Sequence, residues 1–438
     1  MINLLLKEIK DFFKSKTILI YFLLLFGIMA YSFYSAIDLY SKASVAAIDN
    51  PLYAAGFEPG VGVFVPTLGG FFIVLSLILP FLLIQSINNE KRYNTLPLIA
   101  QFPHSLSSIF TIKILSAIII ILVSILFILP LLFFWRSYGG HIPWQEFILL
   151  LFGYFLYALF ILAVSFFSAS IFQTSAQASI FTIAFIMLSW FIDFGKEMNI
   201  SPFIKKLSSW TITRQLKFFE DGILSVQSIL YFMILFSFFA FLSYLFFNFS
   251  IKNKTKKVLI IIIIHLFLLL FISTIKTKYD ITESKRNSFS PVQNSFLKKL
   301  PEIKIKVYLE PTDSRYKDYE NDFLKKLKLV KSDIKIIFAK GKELKNSYGI
   351  FKYTINGKTM KTYSNSEEEI FMIFKDLSGL KMKKEDMKNN FKGYPLVIKN
   401  RQSTPFIIIY LILFPLMIFS IYYKLNFLDR RKKHEKIS

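Results

Sequence analysis

The residues best suited to chemistry lie in a polar island, residues 87–105, set between two long apolar runs. It presents Glu90 and Arg92, then Thr95, Leu96 and Pro97, and closes on Pro103, His104 and Ser105. A carboxylate and a guanidinium two residues apart suit charge-assisted hydrogen bonds to a partner protein. Thr95 or Pro97 can open a short helix whose packing face is Leu96, Leu98 and Ile99. This is docking chemistry rather than bond-making chemistry. The four histidines, His104, His141, His265 and His434, are scattered without i, i+4 pairing, which argues against a metal site. The chain has no cysteine, so disulfides and thiol chemistry are excluded. No G-x-x-x-x-G-K-[ST] sequence occurs; Gly69-Gly70 and Gly139-Gly140 lack the Lys-Ser/Thr that would follow. A membrane enzyme such as a lipid transferase would need Asp, His or Arg clustered at one interface, and none stands out. Three further carboxylates, Asp193, Glu220 and Asp221, are candidates for an outer gate, with an interface anchor or a solvated helix end as the plainer readings. His265 lies within an apolar run. An ionisable residue there is a functional candidate by default, although a neutral imidazole bonded to a neighbouring helix explains it more simply.

The elements that position these residues are membrane helices. The chain has 438 residues, 54% hydrophobic and 18% aromatic. Its apolar runs of about twenty residues match a hydrocarbon core of roughly 30 Å at about 1.5 Å per residue. Eight spans are expected, at 17–37, 64–86, 114–135, 147–168, 176–195, 228–248, 258–275 and 405–423, with Pro80 and Pro130 kinking two of them. Ahead of them, Ile2, Leu5, Leu6, Ile9, Phe12 and Phe13 recur at helical spacing with the charges opposite. Residues 2–15 therefore read as an amphipathic interfacial helix, not a cleavable signal. The basic leader, the island, the lysines at 252–257 and the tail Arg430-Arg431-Lys432-Lys433 fall on one side. By the positive-inside rule that side is the cytoplasm and holds both termini. Residues 196–227 then lie outside, as short helices in or dipping into the outer interface.

The net charge of +24 does not point to nucleic acid. Residues 278–402 hold 28 Lys/Arg against 16 Asp/Glu, half of the excess, and much of the rest sits at span ends facing the lipid. Residues 277–402 read as a small α/β domain outside the membrane. Residues 303–309 and 334–338 alternate like strands, and 318–331 and 364–377 show helical spacing. Asn356-Gly357 signals a hairpin between two further strands. The fold class is thus an α-helical polytopic membrane protein with an inserted α/β extracytoplasmic domain.

With this organisation in place, residues 1–250 resemble the ABC-2 type permeases, the membrane subunits of type V ABC exporters. That family has six spans after an interfacial helix. Its first cytoplasmic loop reads as Glu, a basic residue, Gly-Thr, then Pro and Ser before a Lys opening the third span. Glu90, Arg92, Thr95, Pro103, Ser105 and Lys113 occupy those places, with Asn94 where Gly is usual. Residues 167–178 resemble the family's small-residue turn between spans four and five, and 207–223 its outer helices before span six. The similarity is to the gliding-motility-type permease group. Residues 277–402 resemble a shortened form of the accessory component of that group, on Asp280-Ile281-Thr282, Phe289-Ser290, Leu297 and Leu300.

The resemblance implies that 87–113 couples to a separate ATPase subunit, which would hold ATP and magnesium; no cofactor is expected in this chain. It also implies a second permease copy or paralogue, a bacterial cytoplasmic membrane, and an envelope protein as possible partner of 277–402. The expected activity is ATP-driven export. The alternative is transmission of mechanical work to an envelope machine without transport.

Overall fold

The computed structural model describes residues 2–49, 58–93, 105–197, 201–275, 277–331, 333–380, 393–398 and 403–434. The chain is an α-helical polytopic membrane protein with a small inserted α/β region. Among the described residues eight helices are long and apolar enough to cross a membrane: Lys16–Ile48, Gly60–Arg92, Leu106–Ser137, Trp144–Ile171, Ser175–Gly195, Val226–Phe247, Lys254–Ile272 and Pro405–Leu428, here spans 1 to 8. All eight expected spans are present. Helix Ile2–Lys14 precedes them.

The polypeptide forms two compact units. The membrane unit comprises Met1–Asp193, Leu207–Ile281 and Asn390–Ser438; the second comprises Phe194–Lys206 and Thr282–Asn389. The second unit is narrower than residues 277–402. β1 (Ile223–Ser225) and β2 (Lys278–Asp280), which periodicity does not reveal, pair antiparallel within the membrane unit.

Proline explains much of the local geometry in the spans. It lacks an N–H and its ring clashes with the carbonyl four residues back. The segments Gly60–Phe64, Val74–Ile78 and Ile408–Leu413 are π-helical, and they run into Pro66, Pro80 and Pro415 respectively. One extra residue per turn lets the helix pass the proline without ending. At Pro130 the helix breaks instead, between Leu106–Leu126 and Leu129–Ser137. The Tyr410 hydroxyl of span 8 donates to the Phe127 carbonyl at that break, at 2.7 Å. A neighbouring helix thus satisfies backbone that lipid cannot.

Single hydroxyl pairs stitch the spans together. Tyr21 bonds Ser124 (spans 1 and 3, 2.9 Å), Ser76 bonds Tyr157 (spans 2 and 4, 2.7 Å), Ser168 bonds Thr182 (spans 4 and 5, 2.7 Å) and Ser170 bonds Ser243 (spans 4 and 6, 2.9 Å). Span 1 is 33 residues long, about 50 Å at 1.5 Å per residue and far beyond the hydrocarbon core. Its extension seats residues 393–398. Leu396 and Ile398 donate their backbone N–H to Ser44 and Ser41, each at 3.0 Å, and Tyr40 donates to the Gly393 carbonyl at 2.9 Å.

The second unit carries a four-stranded sheet in the order β4-β3-β5-β6, with β3 Ile303–Val307, β4 Ile334–Phe338, β5 Phe351–Ile355 and β6 Lys358–Thr362. β3 and β4 are parallel; the other pairs are antiparallel. Asn356 and Gly357 both take positive φ (52° and 75°), the backbone that a two-residue hairpin matched to strand twist requires. Ile303, Ile305, Val307, Phe351, Tyr353 and Ile355 form one buried face. Helices Pro291–Lys299, Ser314–Tyr319 with its continuation to Val330, and Glu367–Ser378 supply Phe296, Leu297, Tyr319, Phe323, Leu327, Phe371 and Phe374 to the same core.

Close helix approach in the membrane unit rests on small residues, as expected where lipid gives no hydrophobic drive to associate. A Cβ on Gly153 of span 4 would lie 2.5 Å from Phe219, whereas one on Gly27 of span 1 meets nothing within 4 Å. Gly153→Ala should therefore lower the melting temperature of the detergent-solubilised chain, by an overpacking cost of about 1–3 kcal/mol. Gly27→Ala should leave it unchanged or raise it. Equal melting temperatures for the two variants would refute this packing.

Candidate functional site

Lys113 lies in the third span, between Ile112 and Ile114, about two helical turns past the helix start at Leu106. A lone ammonium in such an apolar setting is costly and needs a partner. Two are supplied. Its Nζ lies 3.0 Å from Oε2 of Glu8 and 2.7 Å from Oε1 of Glu90, and it also donates to the Ser86 carbonyl at 2.9 Å. The Lys113 side chain is 1% exposed, that of Glu8 9% and that of Glu90 14%. One cation thus joins the interfacial helix, the end of span 2 and the start of span 3. Removal of one partner from such a buried set leaves an uncompensated charge, so the three groups stand or fall together.

Glu8 corrects an expectation. The charges of Ile2–Lys14 do not all lie opposite its apolar stripe, because Glu8 is buried together with Phe12, four residues on and on the same face. Ile2 and Leu6 are exposed in its place. Burial also raises the Asp11 carboxyl above its usual range, with Lys7 opposing the shift.

Lys91 makes a second junction. Its ammonium donates to the carbonyls of Ala169 (2.5 Å), Ser170 (2.7 Å) and Phe172 (3.4 Å), at the end of span 4. The last carbonyls of a helix lack intrahelical donors, and a cation there also complements the negative end of the dipole. The next residues turn outward. Arg92 and Tyr93 are exposed, and Arg92 makes no ion pair among the described residues. The side-chain amide of Asn88 is buried and finds no hydrogen bond among the described residues. The interfacial helix, the end of span 2, the start of span 3 and the end of span 4 are therefore held together, with the island emerging beside them.

Of the island residues, Thr95, Leu96, Pro97 and Pro103 lie outside the described residues. Ser105 is the N-cap of span 3, accepting from the Ser108 N–H at 3.2 Å. The structure thus brings Glu90 and Lys113 together, leaves Arg92 outward, and adds Glu8 and Lys91. A lysine embedded in an apolar run was the one signal in the sequence that demanded such partners.

The three carboxylates expected at an outer gate are held by local partners. Asp193, near the end of span 5, accepts from Thr211 at 2.7 Å and from Thr213, tying the span to helix Ile212–Glu220. Glu220 accepts from Tyr154 of span 4 at 2.9 Å. Lys217 lies 3.1 Å from Asp221 and 3.6 Å from Glu220. Burial works against the Lys217 ammonium, but Asp221 and Glu220 overcome it and hold its pKa above the usual range. Asp193 and Glu220 thus tie helix Ile212–Glu220 to spans 5 and 4. His265 pairs with Ser237 of span 6 at 3.2 Å and with the Ile261 carbonyl at 2.8 Å, a helix-to-helix bond. No group of metal-ligating side chains occurs among the described residues.

Comparison with protein-family models, curated proteins and solved structures yields no match to this chain.

Lys113→Met should destabilise the solubilised protein by about 3–5 kcal/mol, the usual cost of orphaning a buried ion pair. Adding Glu8→Gln and Glu90→Gln should restore part of the melting temperature. Glu90→Lys should also lower it, whereas Arg92→Glu should not. Wild-type melting of Lys113→Met, or an Arg92→Glu loss as large as that of Glu90→Lys, contradicts this arrangement.

Proposed function

We propose that the chain is the membrane permease subunit of an exporter driven by a separate ATPase. The supporting observation is the junction at Lys113. An ATPase pushing on the island would move Arg92 and Tyr93, which continue directly from Glu90 and Lys91. Glu90 is paired with Lys113 of span 3, which Glu8 of the interfacial helix also holds, and Lys91 is bonded to the end of span 4. A push at one loop would thus reach four elements at once. An unanchored connecting loop would have no use for a buried, doubly paired ammonium at its base. The resemblance of residues 1–250 to ABC-2 type permeases supports the same reading, with ATP and magnesium on the partner and a second permease copy or paralogue completing the pore.

In this reading the island and both termini face the cytoplasm, and the α/β unit lies outside it, in a bacterial inner membrane. The absence of cysteine makes this directly testable. Single cysteines at exposed Thr255 and Lys345 should react differently with a membrane-impermeant maleimide in intact cells. Lys345→Cys should label at once and Thr255→Cys only after permeabilisation; the reverse pattern overturns the orientation.

The partner is tested at the island. The full chain bearing Tyr93→Cys, with a photoactivatable maleimide cross-linker, should capture in its native membrane a protein containing G-x-x-x-x-G-K-[ST]. Mass spectrometry of the adduct identifies it. Adducts with no nucleotide-binding protein among them would sink the proposal. Mechanical transmission to an envelope machine shares this power input, and proteoliposome transport separates it from export.

A further inference from the structure

The sheet of the α/β unit has two faces of opposite chemistry. The helices cover one. On the other, register aligns the outward residues in two rows. One row runs Lys335, Lys304, Thr354, Thr359 across β4, β3, β5 and β6; the next runs Ile337, Lys306, Lys352, Lys361. Burial alternates accordingly: Ile303, Ile305 and Val307 are buried while Lys304 is exposed, and Lys335, Ile337, Thr359 and Lys361 are exposed. Eight outward positions thus hold five lysines, two threonines, one isoleucine and no acid.

Neighbouring strands stand about 4.8 Å apart. Lys306, Lys352 and Lys361 therefore sit directly opposite one another on three successive strands, and like charges so placed oppose sheet formation. Rim acids compensate part of the field: Glu302 pairs with Lys335 at 2.9 Å and with Lys304 at 3.8 Å, and Glu343 with Lys306 at 2.5 Å. Lys352 and Lys361 have no ion pair among the described residues. Lys352 shares only the longer-range field of Glu343, and two ammonium groups side by side without an ion pair favour an anion in front of them.

The chemistry of the face narrows the ligand. Lysine binds phosphate as a point charge, whereas planar two-point recognition of carboxylates favours arginine, and no arginine lies among the eight. Thr354 and Thr359, opposite each other, add hydroxyl donors for phosphate oxygens. Surfaces that dock on bilayers also carry large apolar side chains to insert; here only Ile337 could. We propose that this face binds a phosphate-bearing polymer, with Lys352 and Lys361 at the centre of the contact. The assignment is independent of the role of the membrane unit.

The test uses the full chain in nanodiscs of zwitterionic phosphatidylcholine, with inorganic polyphosphate of defined length as the probe. Wild type should bind with an affinity that falls steeply with salt. Lys352→Gln/Lys361→Gln should weaken binding about tenfold or more and reduce the slope of log K against log[salt] by about 1.4, the loss of two contacts to a single-stranded polyanion. Lys298→Gln/Lys299→Gln, an equal charge change on the exposed end of helix Pro291–Lys299, should leave both nearly unchanged. Melting temperatures matched to wild type confirm that the variants are folded. Four results would overturn the proposal: no binding, equal losses from the two double variants, equally tight binding of polyglutamate, or polyphosphate binding abolished by anionic lipid in the disc.

Discussion

One ammonium group inside an apolar helix constrains this protein more than any other feature. Lys113 cannot stay charged in such surroundings without opposite charge at contact distance, and Glu8 and Glu90 provide it at 3.0 and 2.7 Å. The carboxylates come from elements far apart in sequence, so their satisfaction fixes where those elements lie. The interfacial helix must sit against the start of span 3, with Phe12 packed beside Glu8. The end of span 2 must reach the same point, and this brings Lys91 to the open carbonyls of span 4. The buried charge is weak evidence for stability, since desolvation offsets most of the attraction. Its consequence is registry: four chain segments share one junction at the root of the polar island.

Elsewhere the membrane unit uses neutral contacts. Hydroxyl pairs join spans singly, glycine at 153 lets span 4 approach Phe219, and π-helical turns carry three helices into prolines. Each contact is modest. The charged junction at one end thus contrasts with neutral packing along the spans. Asp193 and Glu220 likewise hold helix Ile212–Glu220 to spans 5 and 4 through hydroxyl groups.

Much of the architecture was legible in the chain because it is encoded locally. Apolar runs gave the eight spans, although not their extensions such as that of span 1 past residue 37, which continues because Ser41 and Ser44 serve a distant segment. Alternation at 303–307 and 334–338 and the Asn356-Gly357 pair gave the sheet. Helix Pro291–Lys299 was not read from the sequence, although Ser290 and Gln293, which form a reciprocal capping box, mark its start. The junction was only half legible. Lys113 and Glu90 held places in the family pattern, but their mutual contact and that with Glu8, 105 residues from Lys113, are tertiary facts. Periodicity placed Glu8 with the solvated charges because a buried carboxylate and an exposed one have the same spacing. The lysine face needed strand register, which turns scattered lysines into two rows.

On the proposed reading as a permease driven by a separate ATPase, the central claim is that the junction transmits motion as one body. Its most direct test is pulsed electron paramagnetic resonance on the reconstituted complex, with spin labels on Arg92→Cys, the last residue of span 2, and Gln173→Cys, just past the end of span 4. Distances would be compared without nucleotide and with the ATPase trapped by vanadate. The account predicts an unchanged distance between the two labels within a chain and a shifted distance between the Arg92→Cys labels of two copies. A changed distance within the chain, or a fixed one between copies, would contradict it.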